Sequence, residues 1–409
     1  MTVTEPLAFN PFDPGFRVNP YPVYRRLQQE DPVHVTPFGM LALSRYRDCA
    51  ALLRDPRSSS DARNSNFYQQ MMQGRDPEEV FGELAGMRPF LFMDAPDHTR
   101  LRSLVQKAFT PKTVENLRPR IQELVDQLLA SAVERGSMEV IEDLAYPLPV
   151  QVISELMGVP SEDHETFKGW SKELARALDP DFTAPLEVVE RRQQVAQAFT
   201  AYFRDLIAVR RRQPRDDLLS ALIAAEDEGN KLSEPELLAT LILLLVAGHE
   251  TTVNLIGNGV LALCRHPDQL ARLRNEPGSA RTAVEEVLRY DPPVQFTARV
   301  ALEDIDIDGT TLAKGDQAIL LLAAANRDPE QFDEPDTFDV ARQENRHLAF
   351  GLGVHFCLGA PLARVEGQVA LEAMATRLDQ LALAVAAPDY KENIVLRGLA
   401  SLPVTFVSR

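Results

Sequence analysis

The chain has 409 residues, 45% of them hydrophobic, and a formal net charge of −17 at pH 7. That length and apolar content suffice for a large buried core, while the acid excess argues against partners such as nucleic acid or an anionic membrane. No apolar run reaches the roughly 18 residues of a membrane span, Met1 to Asn10 shows no targeting pattern, and three unpaired cysteines suit a reducing compartment, so a cytoplasmic protein is expected.

Turn-rich punctuation at Asn10-Pro11-Phe12-Asp13-Pro14 and Asn19-Pro20-Tyr21-Pro22 precedes a predicted helix over 23–30. Alternation over 33–44, broken at Pro37-Phe38-Gly39, predicts a short hairpin, and 46–54 reads as another helix. Residues 57–92 lack strong periodicity, yet Phe67, Tyr68, Met71, Met72, Phe81 and Met87 are too many for disorder. A long loop of that kind is usually functional. Next comes Asp94-Ala95-Pro96-Asp97-His98-Thr99-Arg100-Leu101-Arg102, where proline marks a helix start. His98 and Arg102 stand one turn apart on one face, a pair suited to a carboxylate. Apolar spacing of three and four predicts helices over 114–131 and 150–157, and through 160–212 with a break at 180–185. In that last stretch Phe182, Leu186, Val189, Phe199 and Phe203 are apolar enough to face a greasy surface.

Ser233-Glu234-Pro235-Glu236 is a capping box with proline in the first turn, where it costs no hydrogen bond. No proline follows until Pro267, and about 32 residues at roughly 1.5 Å each make a helix on the order of 48 Å long. Residues 237–246 are apolar on all faces, too short for a membrane and right for a buried central helix. Directly after them stands Ala247-Gly248-His249-Glu250-Thr251-Thr252. Burying an acid and two hydroxyls costs several kcal/mol unless they are satisfied or used. Gly248 weakens the helix by about 1 kcal/mol relative to alanine, and a threonine bonding back to a carbonyl four residues earlier can open a turn. An opened turn would leave a notch for a small ligand such as O2. The alternative is that the helix emerges into solvent here.

Residues 280–290 read as a helix in which Glu286 and Arg289 face each other at i, i+3. After Pro292-Pro293, strands are predicted over 294–300 and 304–307, ending at an Asp308-Gly309 turn, and 332–338 belongs to a loop-rich meander. Then Phe350-Gly-Leu-Gly-Val-His-Phe-Cys-Leu-Gly-Ala-Pro-Leu-Ala-Arg364 sets Cys357 between a glycine-rich loop and a helix predicted over 360–381. A thiolate there meets unpaired N–H groups and the positive end of a helix dipole, which lower a cysteine pKa. Gly351, Gly353 and Gly359 let the backbone turn tightly and approach a flat partner. A small buried hydrophobe is the alternative for Cys357. However, the six positions Phe350, Gly351, Gly353, His355, Cys357 and Gly359, at about one residue in twenty each, give on the order of 10⁻⁸ per window by chance. A zinc or iron–sulfur site needs about four ligands, and Cys49 and Cys264 lie far off in the chain. Residues 397–404 read as a closing hairpin with Leu399 and Ala400 at its tip.

The run from Phe350 to Gly359 resembles the haem-binding signature of the cytochrome P450 family, Phe-Gly-x-Gly-x-His-x-Cys-x-Gly, and four motifs follow the family's order across nearly the whole chain. The resemblance implies a single domain, 1–409, mainly α with small β-sheets (α+β), and haem b (iron protoporphyrin IX) buried between the long central helix and the cysteine loop. It implies Cys357 as the axial thiolate and metal ligand, Ala247 and Phe350 against the haem, and His98, Arg102, Arg299 and His355 as donors to the two propionates. Val294, Phe296 and Ala298 would line the pocket beside it. Ala247-Gly248 followed by Glu250 and Thr251 matches the oxygen-activation motif, so Thr251 would steady the reacting oxygen and Glu250 would feed protons from solvent. Glu286 and Arg289 would pin the cysteine loop with Arg342 as third partner, although Thr337 stands where many relatives carry arginine. Residues 57–92 would form a lid and 160–212 the roof of the substrate pocket.

A haem-thiolate monooxygenase that hydroxylates or epoxidises an apolar small molecule with O2 is therefore expected. The chain carries no flavin or dinucleotide fingerprint, so electrons should come from a ferredoxin and ferredoxin reductase, or a flavodoxin. These would dock on the cysteine side near Arg100, Lys107, Lys112 and Arg364. A peroxide-driven haem enzyme and a non-catalytic haem-binding sensor are the alternatives, and the Glu250-Thr251 pair argues against both. The chain is expected to be a monomer.

Overall fold

A computed structural model describes residues 9–72, 74, 87–174, 185–227 and 230–408. Phe81 and Phe182, with residues 73 and 75–86 of the predicted lid and 180–184 of the predicted break, lie outside the described residues.

The helix Glu234–Arg265 runs through the middle for 32 residues. Its start follows from the sequence: Ser233 Oγ accepts from the Glu236 N–H, and the Glu236 carboxylate accepts from the Ser233 N–H at 2.8 Å. By length and composition this helix could cross a membrane, but 72% of its apolar window is buried inside the protein. The helices Pro147–Leu156, Ala280–Tyr290 and Ala360–Arg377 pack around it. An apolar surface on every face needs neighbours on every face, and it has them.

Above this bundle the helices His164–Leu174 and Leu186–Arg212 pack on each other through aromatic rings. Phe167, Phe199 and Phe203 are fully buried, with the Phe199 and Phe203 ring centroids 4.5 Å apart and Trp170 edge-on to Phe199. Phe199 and Phe203 thus form the core between these two helices.

Five short strands form the larger sheet in the order Val33–Val35, Leu41–Leu43, Gln317–Leu320, Thr297–Ala301, Ser58–Ser59. The predicted first hairpin is present, with Val33 opposite Leu43. The strand expected from residue 294 begins at Thr297; Val294 makes only an isolated bridge to Leu396. Phe296 turns toward the N-terminal cluster, edge-on to Phe9 at 6.4 Å, and Val294 packs against the sheet core, while Thr297 and Arg299 share the opposite face. Val294 and Phe296 are partly buried and pack against hydrophobic clusters.

Two further boundaries differ. The helix after Cys357 ends at Arg377 rather than residue 381, because Leu378–Leu383 pairs antiparallel with Pro403–Ser408 and tertiary pairing overrides the helical periodicity. The closing hairpin does not turn at Leu399 and Ala400. Those residues pair back with 389–391, through Ala400 N–H to the Asp389 carbonyl and Lys391 N–H to the Gly398 carbonyl, and Leu399 is buried.

The cysteine loop is pinned from behind. Glu286 and Arg289 are fully buried and bond in parallel at 2.8 Å, and Arg342 Nε donates to Glu286 at 3.1 Å, the partner expected from the sequence. Arg289 also donates to the carbonyls of Asn326, Pro335 and Thr337, so the threonine at 337 contributes backbone where an arginine was absent. Asn326 Oδ1 then accepts the Leu348 N–H at 2.6 Å, just before the loop.

Candidate active site

The backbone of the cysteine loop folds on itself: Cys357 N–H donates to the Phe350 carbonyl at 2.9 Å and Phe356 N–H to the Gly353 carbonyl at 3.1 Å. Gly353 is required, because at φ 71° it passes Leu53 so closely that a Cβ would lie 2.7 Å from that carbonyl oxygen. The Ala360–Arg377 helix starts three residues after Cys357, and the N–H groups of Gly359 and Ala360 point at the sulfur. Cys357 is solvent-accessible, yet protein surrounds the sulfur closely enough for burial to push the thiol up; the two N–H groups and the cations Arg102 and Arg364 pull it down by less. The net lowering expected from the helix end is thus outweighed in the chain by desolvation.

The four expected donors meet beside this loop. His98 comes from the helix Asp97–Ala108, Arg102 from the next turn of that helix, Arg299 from the Thr297–Ala301 strand and His355 from the loop itself. The His98 and His355 rings lie 4.1 Å apart, and Arg102 donates to the Phe356 carbonyl. Burial, then repulsion from His98, Arg299 and Arg102, pushes His355 down to about 3. Burial likewise lowers Arg299 to about 10, and the nearest acid, Asp94, is occupied by the Ser60 N–H at 3.0 Å and by Ser59. Among the described residues neither Arg102 nor Arg299 makes a salt bridge, and His98 Nε2 is buried with no partner. Phe350 lies under the Arg364 guanidinium at 4.7 Å.

On the central helix the polar patch is buried: His249 is 0%, Glu250 5% and Thr252 1% exposed. The helix does not surface here. Nor is a turn opened, since Thr251 and Thr252 bond back to the Ala247 and Gly248 carbonyls at 2.8 and 3.1 Å while the helix continues unbroken. His249 Nδ1 lies 2.9 Å from the Leu245 carbonyl, so it carries the proton, and Nε2 accepts from Ser171 Oγ at 2.9 Å. Burial holds that ring below the usual histidine range, with Glu250 pulling the other way.

Several site residues escaped the sequence. Lys391 Nζ sits 2.5 Å from Glu250 Oε1 and 3.1 Å from Asn254 Oδ1. Asn254 is one turn beyond Glu250, a spacing that could have marked it; nothing in the sequence marks Lys391. Glu366, buried in the helix after the cysteine, bonds to Thr252, and burial raises its carboxyl to about 8. Glu285 takes Arg364 at 2.7 and 2.9 Å, and Arg100 is bonded to Glu236. Of the four residues expected to form a docking cluster, Arg100 and Arg364 are thus bonded to acids, and Lys107 and Lys112 are exposed.

Comparison with known proteins gives the same answer from another direction. A family profile described as Cytochrome P450 matches residues 66–383. The chain is 42% identical over 411 residues to the polyketide biosynthesis cytochrome P450 PksS of Bacillus subtilis, covering 98% of this chain and 99% of that protein. It is 43% identical over 399 residues to the cytochrome P450 monooxygenase PikC of Streptomyces venezuelae, covering 95% and 91%. The crystal structure of P450BioI in complex with an acyl carrier protein ligated to hexadec-9Z-enoic acid superposes with a TM-score of 0.87 at 42% identity, covering 96% of this chain and 99% of that one. With the cysteine loop, the donor cluster and the buried acid–alcohol helix all in place, the chain belongs to the cytochrome P450 family and is one of its monooxygenases, an oxidoreductase.

Proposed function

We propose that this monooxygenase, acting as a single domain and a monomer in the cytoplasm, inserts one oxygen atom of O2 into an apolar small molecule and takes its electrons from separate proteins. The observation that carries this is the gathering beside Cys357 of four donors with no bonded acid among the described residues. Such a cluster is costly unless an anion repays it. Haem b fits on these grounds: His98, Arg102, Arg299 and His355 would hold its two propionates, and Cys357, at a helix N-terminus, would supply a soft thiolate to its iron. Ala247 and Phe350 would lie against its faces. When bound, haem supplies O2 binding and the oxidising chemistry, with the thiolate's electron donation favouring O–O cleavage.

The chain's own residues supply protons and order. Glu250 is the acid that delivers protons toward the pocket, and the Thr251 hydroxyl, held by its bond to the Ala247 carbonyl, presents an oxygen at the helix surface. An apolar substrate agrees with the relatives, one named for polyketide biosynthesis and another solved with a fatty acid on its carrier protein.

A ferredoxin and its reductase, or a flavodoxin, would deliver electrons on the cysteine side. Both partners being acidic, the encounter needs a local positive patch on a chain of charge −17, and Lys107 and Lys112 are its exposed members. Reversing both to glutamate should slow reduction by a ferredoxin, most at low salt. An unchanged rate across a salt series would place the docking face elsewhere. The reaction class is tested by comparing product formed with NADPH and redox partners against product formed with peroxide alone. Turnover with partners is expected, and turnover with peroxide only would overturn it.

A further inference from the structure

Glu250 has to exchange protons with solvent although it is buried. Among the described residues, the one side chain from another element bonded to it is that of Lys391. The approach of that lysine is built into the C-terminal segment. Gly398 lies so close to the central helix that a Cβ would fall 1.9 Å from Asn254 Oδ1, so only glycine lets the segment pass. The Asn258 side chain donates to the Arg397 carbonyl at 3.2 Å, and Arg397 is fixed by Asp291 at 2.7 Å, which Tyr21 also holds. Lys391 N–H bonds the Gly398 carbonyl across the resulting hairpin. The ammonium is thus aimed at Glu250 by backbone pinned at several points.

Lys391 also looks outward. Its side chain is 20% exposed against 7% for Glu250, and it lines a surface recess with Pro11, Phe16, Arg17 and Asn393 whose inner volume, about 20 Å³, admits one water. Glu366, also buried against the central helix, has a carboxyl oxygen with no partner among the described residues.

We propose that Lys391 is a positioning residue for the proton-delivering acid: lining the recess between the N- and C-terminal segments on one side, it holds the Glu250 carboxylate behind it on the other, and protons reach Glu250 from that side. The inference rests on Glu250 being the acid. The proton balance is simple. The carboxylate takes a proton from water admitted through the recess, passes one toward Thr251, and exchange with bulk water restores the recess; Lys391 keeps its proton throughout. His249, 3.6 Å from the second Glu250 oxygen, limits the carboxylate on its other side.

The test uses the haem-loaded protein and three single variants, Lys391→Met, Lys391→Arg and Glu250→Gln, with the Lys391→Met/Glu250→Gln double. Methionine keeps the stem and removes the charge. Lys391→Met should lower product formed per electron consumed by about ten-fold, enlarge the solvent deuterium isotope effect, and leave haem content and substrate affinity unchanged. Lys391→Arg should restore most of the loss. The double variant should be no slower than Glu250→Gln alone, and in thermal melts Lys391→Met should lower the midpoint in the parent but not in the Glu250→Gln background. If Lys391→Met matches the parent while Glu250→Gln is slow, the role of Lys391 is overturned and Glu250 stands. If Glu250→Gln also matches the parent, the assignment of Glu250 falls, and this inference with it. Loss of substrate affinity in both lysine variants, without rescue by arginine, would reduce Lys391 to a structural strut and overturn the proposal.

Discussion

On the cysteine side His98, Arg102, Arg299 and His355 crowd together without a bonded acid among the described residues, whereas on the helix side Glu250 is met by Lys391 and by a histidine bonded on both nitrogens. The first region is unfavourable by itself: burial, then repulsion from its neighbours, pushes His355 down to about 3, and burial pushes Arg299 down to about 10. The second is satisfied by the protein alone. A cluster of donors strained in this way is organised for an anion that stays, while an acid already paired is organised for protons that pass.

The comparison is broken most completely by unpinning the cysteine side. Arg289→Ala leaves the buried Glu286 with Arg342 as its one cation, beside the Asn345 side chain and the Asp339 N–H, and should cost about 3–5 kcal/mol, read as a fall in the denaturant midpoint together with haem content. A loss under about 1 kcal/mol would mean that the loop is held by something else.

Arg299→Met sharpens the contrast because it should act with opposite signs on the two forms. Losing a charge-assisted bond to the ligand, about 1.5–3 kcal/mol, should weaken haem retention by roughly ten- to a hundred-fold, measured by haem transfer to an acceptor globin. The haem-free chain should melt no lower than the parent, since a buried cation has been removed. A destabilised haem-free chain with unchanged retention would contradict the difference drawn between the two regions.

Glu285 bears on the cysteine side from outside. Burial alone would raise its carboxyl, but Arg364 and His347 outweigh that and hold it at about 2, against a usual 4.5. A depressed carboxylate stabilises above its unfolded value and loses that contribution as pH falls from about 4.5 toward 2. Glu285→Gln should therefore cost about 2 kcal/mol at neutral pH, the shift being discounted for partial exposure, and variant and parent should converge in acid melts. A constant gap down to pH 2 would show that charge is not the cause.

The smallest effect is expected on the helix side. Thr251→Ala should leave haem content and substrate binding intact while diverting electrons to hydrogen peroxide, a several-fold fall in product per NADPH. Equal coupling in variant and parent would remove Thr251 from proton handling.

What the sequence discloses is what short spacing encodes. The capping box at Ser233, the i, i+3 pair Glu286 and Arg289, the i, i+4 pair His98 and Arg102, and the glycines around Cys357 are local patterns, and each has its expected geometry. Lys391 on Glu250 and Glu285 on Arg364 join residues 141 and 79 positions apart, which no local period records. The helix predicted through residue 381 failed because sheet pairing with Pro403–Ser408 decided it. At Cys357 the helix end, whose N–H groups lower the thiol, is visible in sequence, and the desolvation that outweighs them is not.

The central claim is that Cys357 would supply the thiolate ligand of a haem held beside the cluster of His98, Arg102, Arg299 and His355. Cys357→Ala, purified with haem supplied and reduced under carbon monoxide, should lose the thiolate-type absorbance of the parent while its far-ultraviolet circular dichroism shows a folded chain. A variant that folds, binds haem and still shows the thiolate-type spectrum would contradict the account.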